Sequence, residues 1–276
     1  MKLKFYKYQG TGNDFIMIDN RDNRMSKNDT KLVKELCDRK FGIGADGLIL
    51  LENPEDPQDD FKMVYFNADG NESSMCGNGG RCLVAFASYL EIIKNTARFT
   101  AIDGVHEASI KEGVVSLKMQ NVKEISENED FTFLDTGSPH HIVFTQNISE
   151  IDIKKEGAAI RFSDRYKASN GTNVNFVEPI SANSFSVRTY ERGVEDETLS
   201  CGTGVTAVAL AAFKSGKTGS NSIKLITRGG ILGLILRKTG MVFLMSGCLD
   251  QRNLFLKGRL YANIKRGKSI SKSPGT

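Results

Sequence analysis

The pattern of apolar and polar positions divides the chain into many short strands and a few helices. Alternating or continuous apolar stretches predict strands around residues 3–19, 48–51, 61–66, 97–119 and 185–190. Apolar residues at helical spacing predict helices over 29–40, 83–90 and 205–213. The acidic stretch 123–130 has neither pattern, and we interpret it as a linker. Strands dominate, so the chain is predicted to have an α+β fold.

The second half of the chain repeats the plan of the first half. Tyr65 stands 11 residues before Cys76, Tyr190 stands 11 residues before Cys201, and a helix follows each cysteine. The same offset of 125 places the first turn, Gly12-Asn13, on Gly137-Ser138. Residues 44–47 correspond to 171–174 at an offset of about 127, so the register drifts slightly. A period of this length is the size of a domain rather than of a solenoid repeat.

We therefore predict two similar α+β domains that arose by internal duplication and face each other across a cleft. Each domain contains one helix led by a cysteine. The predicted boundaries are 1–122 for the N-terminal domain and 123–254 for the C-terminal domain, with the segment 255–276 joining the first domain.

Composition and charge exclude several classes of protein. The chain has 276 residues, of which 39% are hydrophobic and 25% charged, close to the globular mean, so disorder, collagen and coiled coil are excluded. It contains no apolar run of the roughly 20 residues that a membrane helix needs and no secretory signal, and we expect a soluble cytoplasmic protein without a membrane partner. The net charge of +4 comes from six basic residues in the last twenty. We interpret this segment as a solvated tail and expect no nucleic-acid partner.

The five cysteines indicate thiol chemistry rather than cross-links or a metal site. An odd number without a signal peptide argues against a disulfide framework, and the absence of Cys-x-x-Cys argues against zinc. Cys76 and Cys201 each begin a Cys-Gly-x-Gly element. Cys37, Cys82 and Cys248 lack this frame, and we expect them in the core.

A cysteine at the start of a helix lies beside free backbone N–H groups and the positive end of the helix dipole, which favour the thiolate. The adjacent glycines allow a carboxylate to approach the backbone closely. Two such thiols on opposite sides of one carbon could remove a proton from one face and deliver a proton to the other. This chemistry inverts a stereocentre, and the bound carboxylate would accept the charge that develops.

Other polar residues near the turns are ambiguous between packing and a site. His140 follows the Gly137 turn, Glu191 and Arg192 precede the second cysteine loop, and asparagines stand beside glycine turns. The asparagines are Asn13, Asn67, Asn78 and Asn173. Residues 42–47, Gly-Ile-Gly-Ala-Asp-Gly, spell a dinucleotide fingerprint, but a predicted helix precedes them and a strand follows, so we reject that interpretation.

Three motifs in this sequence resemble those of the diaminopimelate epimerase family. They are Gly10-Thr11-Gly12-Asn13-Asp14-Phe15, the first cysteine loop from Asn67 to Cys82, and the second from Glu191 to Gly204. The similarity extends from about residue 5 to about residue 262. It implies two pseudo-symmetric domains, each a mixed or antiparallel sheet wrapped around a central helix. It also implies a cofactor-independent, homodimeric isomerase that interconverts LL- and meso-2,6-diaminopimelate, on the route to lysine and peptidoglycan.

The resemblance also implies roles for particular residues. Cys76 and Cys201 would be the acid/base pair, and His140 would position the reacting end. Glu191 and Arg192 would bind the amino and carboxylate groups. The remaining substrate contacts would come from Asn13, Asn67, Asn173 and the amides of Gly77, Asn78, Gly202 and Thr203.

The sequence departs from the family pattern at Ser138, where many members have Asn, at Gly47, where some have Gln, and in the longer loop 194–197. These departures affect recognition of the distal end of the substrate. A proline-type racemase is the nearest alternative, but Asn78 and Ser200 replace the His and Pro expected there. An isomerase with an acidic base, a non-catalytic amino-acid binder and a thiol oxidoreductase are further alternatives.

Overall fold

The structure is a computed structural model that describes residues 2–237, 241–247, 249–250 and 259–261. Its contacts divide the chain into two compact units, which are described separately below. Unit 1 comprises Met1–Val115 and Gly247–Thr276, and unit 2 comprises Ser116–Ser246. The sequence places the two breaks at 122 and 254, somewhat later along the chain. Cys248 and most of the basic tail lie outside the described residues.

Unit 1 is a mixed sheet with one helix on each face. Its elements in chain order are β1 (Lys2–Lys4), β2 (Tyr6–Gly10), β3 (Asn13–Asp19), α1 (Thr30–Cys37), β4 (Gly47–Glu52), β5 (Phe61–Asn67), β6 (Glu72–Ser73), α2 (Gly77–Tyr89), β7 (Thr96–Ala101) and β8 (Gly104–Lys111). Strands β2 and β3 are antiparallel, β3 and β4 are parallel, and β4 and β5 are antiparallel. The start of β3, the start of β4 and the end of β5 therefore lie side by side at one end of the strands.

The two helices of unit 1 differ in how deeply they are buried. Helix α1 begins at the N-cap Asp29, whose side chain accepts a hydrogen bond from the Leu32 N–H, and packs one apolar side on the sheet. Helix α2 packs on β2, β3, β4 and β8. Its residues from Gly77 to Val84 are all buried, so α2 is the central helix of the unit.

Unit 2 repeats this plan. The strand β9 (Val114–Lys118) contains the break between the units, and the elements that follow are β10 (Ile125–Glu127), β11 (Thr132–Asp135), β12 (Pro139–Phe144), α3 (Ile153–Arg161), α4 (Asp164–Lys167), β13 (Asn173–Ser181), β14 (Ser184–Glu191), β15 (Asp196–Thr198), α5 (Gly202–Lys214), β16 (Ser222–Thr227), β17 (Gly230–Leu236) and β18 (Val242–Gly247). A short 3-10 helix covers Ile148–Glu150. Strands β12 and β13 are parallel, and β13 and β14 are antiparallel, as in the first repeat. Helix α5 is the buried central helix.

Two further strands near the C-terminus belong to unit 1. They are β19 (Leu249–Asp250), which pairs with β2, and β20 (Arg259–Tyr261), which pairs with β1. Within the described part of the chain, no helix is long and apolar enough to cross a membrane. The predicted duplication, with a mixed sheet around one central helix in each repeat, is confirmed.

The interpretation of 123–130 as a linker is wrong. Ile125–Glu127 forms the edge strand β10, paired with Thr132–Leu134 of β11. Its short length and its acidic neighbours concealed it, because an edge strand with exposed side chains carries little apolar signal.

The alignment of Tyr65 with Tyr190 is also wrong by one residue. Tyr65 lies on the α2 side of its sheet, beside Phe15. Tyr190 lies on the opposite side of its own sheet, where it packs with the core against α3. The residue equivalent to Tyr65 is Thr189, so the connection to the cysteine is one residue longer in unit 2. Counting residues could not detect that extra loop residue.

Both central helices begin earlier than their apolar runs indicate. Helix α2 starts at Gly77 rather than near 83, and α5 starts at Gly202 rather than near 205. The glycine-rich first turns lie directly on the sheets. A Cβ at Gly79 would come within 2.9 Å of Ile49 Cδ1, so the glycines permit close packing rather than marking a loop.

Candidate active site

Cys76 is the N-cap residue of α2, with an extended backbone conformation and no side-chain capping hydrogen bond. Cys201 has the same place at α5. Both side chains are partly exposed, whereas Cys37 and Cys82 are buried. The prediction that the two framed cysteines begin helices is confirmed. Each thiol therefore lies beside the first N–H groups of a helix, where a thiolate is favoured.

A chain of side-chain amides organises the turn next to Cys76. Asn78 Nδ2 donates to Asn13 Oδ1 at 2.6 Å, and Asn13 Nδ2 donates to Asp46 Oδ2 at 3.1 Å. Asn78 Oδ1 accepts from the buried Arg81 at 2.7 Å and from the Thr11 hydroxyl at 3.2 Å. The orientation of both amides is fixed by these partners. The sequence predicts Asn13 and Asn78 in one site, and the structure brings them into contact.

The carboxylates behind Asn13 are held by two cations. Asp14 accepts from Lys7 at 2.7 Å and from Arg39 at 2.7 Å, and Arg39 also reaches Asp46 at 2.6 Å. Burial alone would raise the pKa of Asp14, but the hydrogen bonds from Arg39 and Lys7 outweigh it and hold the pKa at about 2. Asp46, which shares Arg39 with Asp14, therefore supports Asn13 from within this set of ion pairs.

Asn67 differs from the other predicted asparagines. It is the last residue of β5, its backbone pairs with Gly47, and its side chain is exposed. The strand register places Asn67 at the same end of the strands as Asn13. Gly47 has no room for a side chain, because a Cβ would meet the Tyr65 ring and the Phe66 carbonyl oxygen at 2.6 Å.

In unit 2 the first turn of α5 carries a hydroxyl where α2 carries an amide. Thr203 Oγ1 lies 3.4 Å from Cys201 Sγ and 3.0 Å from His140 Nε2. The Thr203 carbonyl oxygen accepts from the buried Thr136 hydroxyl at 3.0 Å. His140 thus contacts the helix start that bears Cys201. It belongs to the second half-site, the group of polar residues around Cys201, as the residues around Cys76 form the first half-site.

His140 is fully buried and is held from below by Asn175. Asn175 Nδ2 lies 3.1 Å from His140 Nδ1, and Asn175 Oδ1 accepts from the Thr189 hydroxyl at 2.9 Å. Burial, and then the nearby charge of Arg192, lower the pKa of His140 to about 3. The imidazole is therefore neutral across the physiological range.

Asn173 ties the neighbouring turn to the end of β14. Its Nδ2 donates to Ser138 Oγ at 2.8 Å and to the Pro139 carbonyl oxygen at 3.0 Å, and its Oδ1 accepts from the Arg192 N–H at 2.9 Å. Ser138, the departure from the family pattern, is thus engaged with Asn173. Burial raises the pKa of Glu191.

The second cysteine loop is fastened to β14 by ion pairs. Glu197 accepts from Arg188 through two hydrogen bonds of 2.8 Å and from Arg228 at 3.0 Å. These contacts hold the pKa of Glu197 below its usual range, the Arg188 hydrogen bonds being the main cause. The loop before Cys201 is therefore anchored on its acidic side.

Sequence reasoning missed four residues that build these half-sites: Thr11, Asp46, Arg81 and Asn175. Thr11, Asp46 and Arg81 lie within the quoted motifs. Thr11 and Asp46 bond Asn78 and Asn13, which are 67 and 33 residues away, and Arg81 bonds Asn78 within its own helix, so these contacts are recognised only in the folded turn. Residues 42–47, which resemble a dinucleotide fingerprint, follow helix α1 and lead into strand β4. This is the predicted helix-to-strand order, for which the fingerprint was rejected.

The comparisons with known proteins agree with these motifs. The family model described as diaminopimelate epimerase matches residues 5–123 and 132–248. A relative named diaminopimelate epimerase from Flavobacterium psychrophilum is 57% identical over 93% of this chain and 96% of its own length. Another relative of that name, from Aquifex aeolicus, is 39% identical over 94% of this chain and 95% of its own.

Solved structures with low sequence identity share the fold. A phenazine biosynthesis protein of the PhzF family from Enterococcus faecalis has a TM-score of 0.68 at 14% identity, covering 95% of this chain and 100% of its own. A hydroxyproline epimerase from Agrobacterium vitis has a TM-score of 0.63 at 13% identity, covering 90% and 89%. The resemblance first noted in the cysteine motifs is confirmed: the chain belongs to the diaminopimelate epimerase family and is an isomerase.

Proposed function

We propose that this protein interconverts LL- and meso-2,6-diaminopimelate by a two-thiol mechanism that needs no cofactor. The observation that carries the proposal is the placement of one partly exposed cysteine at the N-terminus of the central helix in each repeat. Membership of the family and the names of its relatives support the choice of substrate.

In the proposed reaction, the thiolate of one cysteine removes the α-proton. The S–H bond forms as the C–H bond breaks, and the electron pair moves into the substrate carboxylate. The thiol of the other cysteine then delivers its proton to the opposite face of the carbon and becomes a thiolate. Each turnover therefore exchanges the roles of Cys76 and Cys201, and the reaction runs in both directions.

The binding roles follow the two half-sites. The amides of Gly77, Asn78, Gly202 and Thr203 stabilise the charge that develops on the carboxylate of the reacting end. Asn13, Asn67 and Asn173 contact the substrate, and Glu191 and Arg192 bind an amino group and a carboxylate. His140 positions the reacting end through Thr203. We further propose that the enzyme is a cytoplasmic homodimer that serves lysine and peptidoglycan precursor synthesis.

The test is an isotope experiment on reduced protein without pyridoxal phosphate or metal. LL-diaminopimelate is incubated in D2O, and α-deuterium and the meso isomer are followed by NMR and chiral chromatography, with L-proline in parallel. We expect deuterated meso product from diaminopimelate alone. Exchange on proline would assign the protein to racemases of that type, and no exchange by folded, reduced protein would favour a non-catalytic binder.

A further inference from the structure

A group of buried polar side chains lies beneath the first turn of α5. His140 and Asn175 are fully buried, and Thr189 is 3% exposed. The equivalent positions beneath α2 are Phe15 and Ile49, which face Gly79 as His140 and Asn175 face Gly204. Burying an imidazole and an amide is costly unless their hydrogen bonds are made. The difference between the repeats therefore points to a function for the polar pair.

The hydrogen bonds of Asn175 fix which end of its amide faces His140. The backbone carbonyl of His141 can only accept, and it lies 3.4 Å from Asn175 Nδ2. The Thr189 hydroxyl donates to Asn175 Oδ1 on the other side. Rotating the amide by a half-turn would bring two carbonyl oxygens together. The amide nitrogen is therefore the atom that faces His140 Nδ1.

The tautomer of His140 follows from this orientation. A neutral imidazole that accepts a hydrogen bond at Nδ1 carries its proton on Nε2. Nε2 then donates to Thr203 Oγ1 at 3.0 Å. Because that oxygen is already accepting from His140, its own hydrogen is directed elsewhere, and Cys201 Sγ lies 3.4 Å away.

We propose that Asn175 is a positioning residue that sets the Nε2–H tautomer of His140, so that the Thr203 hydroxyl donates to the thiolate of Cys201. The proposal assigns Asn175 to the second half-site and rests on the proposed function only in taking Cys201 as an acid/base group. In the other tautomer, Nε2 would accept from Thr203 and draw the hydroxyl hydrogen away from the sulfur.

The direct test is the pH dependence of Cys201 alkylation by iodoacetamide in the full chain, read by peptide mass spectrometry. Asn175→Leu removes the amide, and Thr203→Val removes the hydroxyl. Because a hydrogen bond to a charged group favours the ionised form, we expect each variant to move the midpoint of the profile upward by about one pH unit. In the Thr203→Val background, Asn175→Leu should add no further shift.

The matched control is Asn20→Leu, which removes another buried asparagine whose amide is fully engaged, with Met25 and Glu52. It should lower Tm to a similar extent and leave the Cys201 profile unchanged. Thr189→Val is a milder alternative if Asn175→Leu does not fold, because it releases only the Oδ1 end of the amide. It should move the midpoint in the same direction by a smaller amount.

Histidine ¹⁵N NMR reports the tautomer itself. We expect an unprotonated Nδ1 for His140 in the wild-type protein and, because leucine donates no hydrogen bond that would favour the Nε2–H form, a measurable population protonated at Nδ1 in Asn175→Leu. An unchanged alkylation midpoint in folded Asn175→Leu or in Thr203→Val, or a proton on Nδ1 in the wild type, overturns the proposal. Neither readout uses substrate, so a shifted midpoint in a protein that exchanges no α-proton would overturn the proposed function and support the positioning role.

Discussion

The two repeats share a backbone plan but line their cysteine-bearing helices differently. Beneath α2 the sheet presents Phe15 and Ile49, and polar contacts lie to the side, through Asn78 and Asn13. Beneath α5 the sheet presents His140 and Asn175, which reach Thr203 from below. In both repeats a threonine in the turn before β3 or β12, Thr11 or Thr136, donates a hydrogen bond to the residue two positions after the cysteine.

This difference shows that a duplicated fold can give its two equivalent cysteines different chemical environments. A hydroxyl that is itself hydrogen-bonded lies beside Cys201, whereas an amide fixed by Arg81 and Asn13 stands two residues after Cys76. The two thiols therefore have different surroundings, although each begins a helix. If both are required for inversion, their environments set which thiol ionises more readily in the free enzyme, whereas the configuration of the substrate selects the base.

The largest expected effect comes from removing either thiol. Cys76→Ala and Cys201→Ala should each lower epimerisation by about 10³-fold or more, since each removes an acid/base group while leaving the helix intact. Steady-state assays in both directions measure this effect, and circular dichroism checks the fold. Cys82→Ala, which changes a buried cysteine of α2, should retain activity. Inversion at the wild-type rate by either single variant would contradict the two-thiol mechanism.

The next largest effect should be a difference between the two units in their sensitivity to acid. Burial, with a smaller contribution from nearby arginines, lowers the pKa of His140 to about 3 and of His141 to about 4. The unfolded chain therefore binds more protons below pH 6.5, and stability falls as the pH falls, by on the order of 3 kcal/mol for each histidine by pH 4. In unit 1 the lowered pKa of Asp14 stabilises the folded state at neutral pH. This stabilisation is lost only below about pH 4, where the carboxylate of the unfolded chain becomes protonated while that of the folded chain stays ionised.

Hydrogen exchange by mass spectrometry, corrected for intrinsic rates, measures this difference by segment. Between pH 7 and pH 4.5, peptides of β12 and β13 should lose protection before those of β3 and β4. The raised pKa of Glu191 acts in the opposite direction, and Glu191→Gln removes it from the comparison. Earlier loss in unit 1 would show that the buried histidines do not limit acid stability.

The equivalent glycines of the two helices should tolerate alanine unequally. A Cβ at Gly204 would lie 2.6 Å from Asn175 Oδ1 and 3.3 Å from His140 Cε1, so Gly204→Ala should destabilise by about 1–3 kcal/mol and lower activity. At Gly79 the closest atom is the movable end of Ile49, and alanine is the better helix former. Gly79→Ala should therefore stay within about 1 kcal/mol of the wild type. Chemical denaturation measures both, and equal costs would contradict the close packing beneath α5.

The sequence was sufficient for the repeat, the cysteine helix starts and the rejected dinucleotide motif, because each depends on local residue patterns. It was not sufficient for Asn175. In β13 polar Asn173 and Asn175 alternate with apolar Val174 and Phe176, the pattern of a strand with one solvent-facing side. The structure instead buries that polar side beneath α5, which only tertiary contacts reveal.

The equivalence of Tyr65 and Tyr190 failed for a related reason. Side chains alternate between faces, so a single extra residue in a loop moves the matched residue to the other face of the sheet. The pairings Ile49 with Tyr65 and Asn175 with Thr189 establish the correct register. Neighbouring strands, rather than spacing along the chain, therefore define equivalent positions.

The smallest stability effect should come from replacing Asn67. Comparing it with Asn173 distinguishes an asparagine that binds substrate from one that stabilises the fold. The exposed Asn67 side chain has no hydrogen bond among the described contacts, so Asn67→Ala should change stability by less than about 0.5 kcal/mol while raising KM roughly tenfold. Asn173→Ala should instead lower stability by about 1–3 kcal/mol, because it leaves Ser138, Pro139 and the Arg192 N–H without their partner. Denaturation curves and initial rates on diaminopimelate measure the two quantities, with the exposed Asn28→Ala as a control that should change neither. An unchanged KM in Asn67→Ala would remove Asn67 from the binding site.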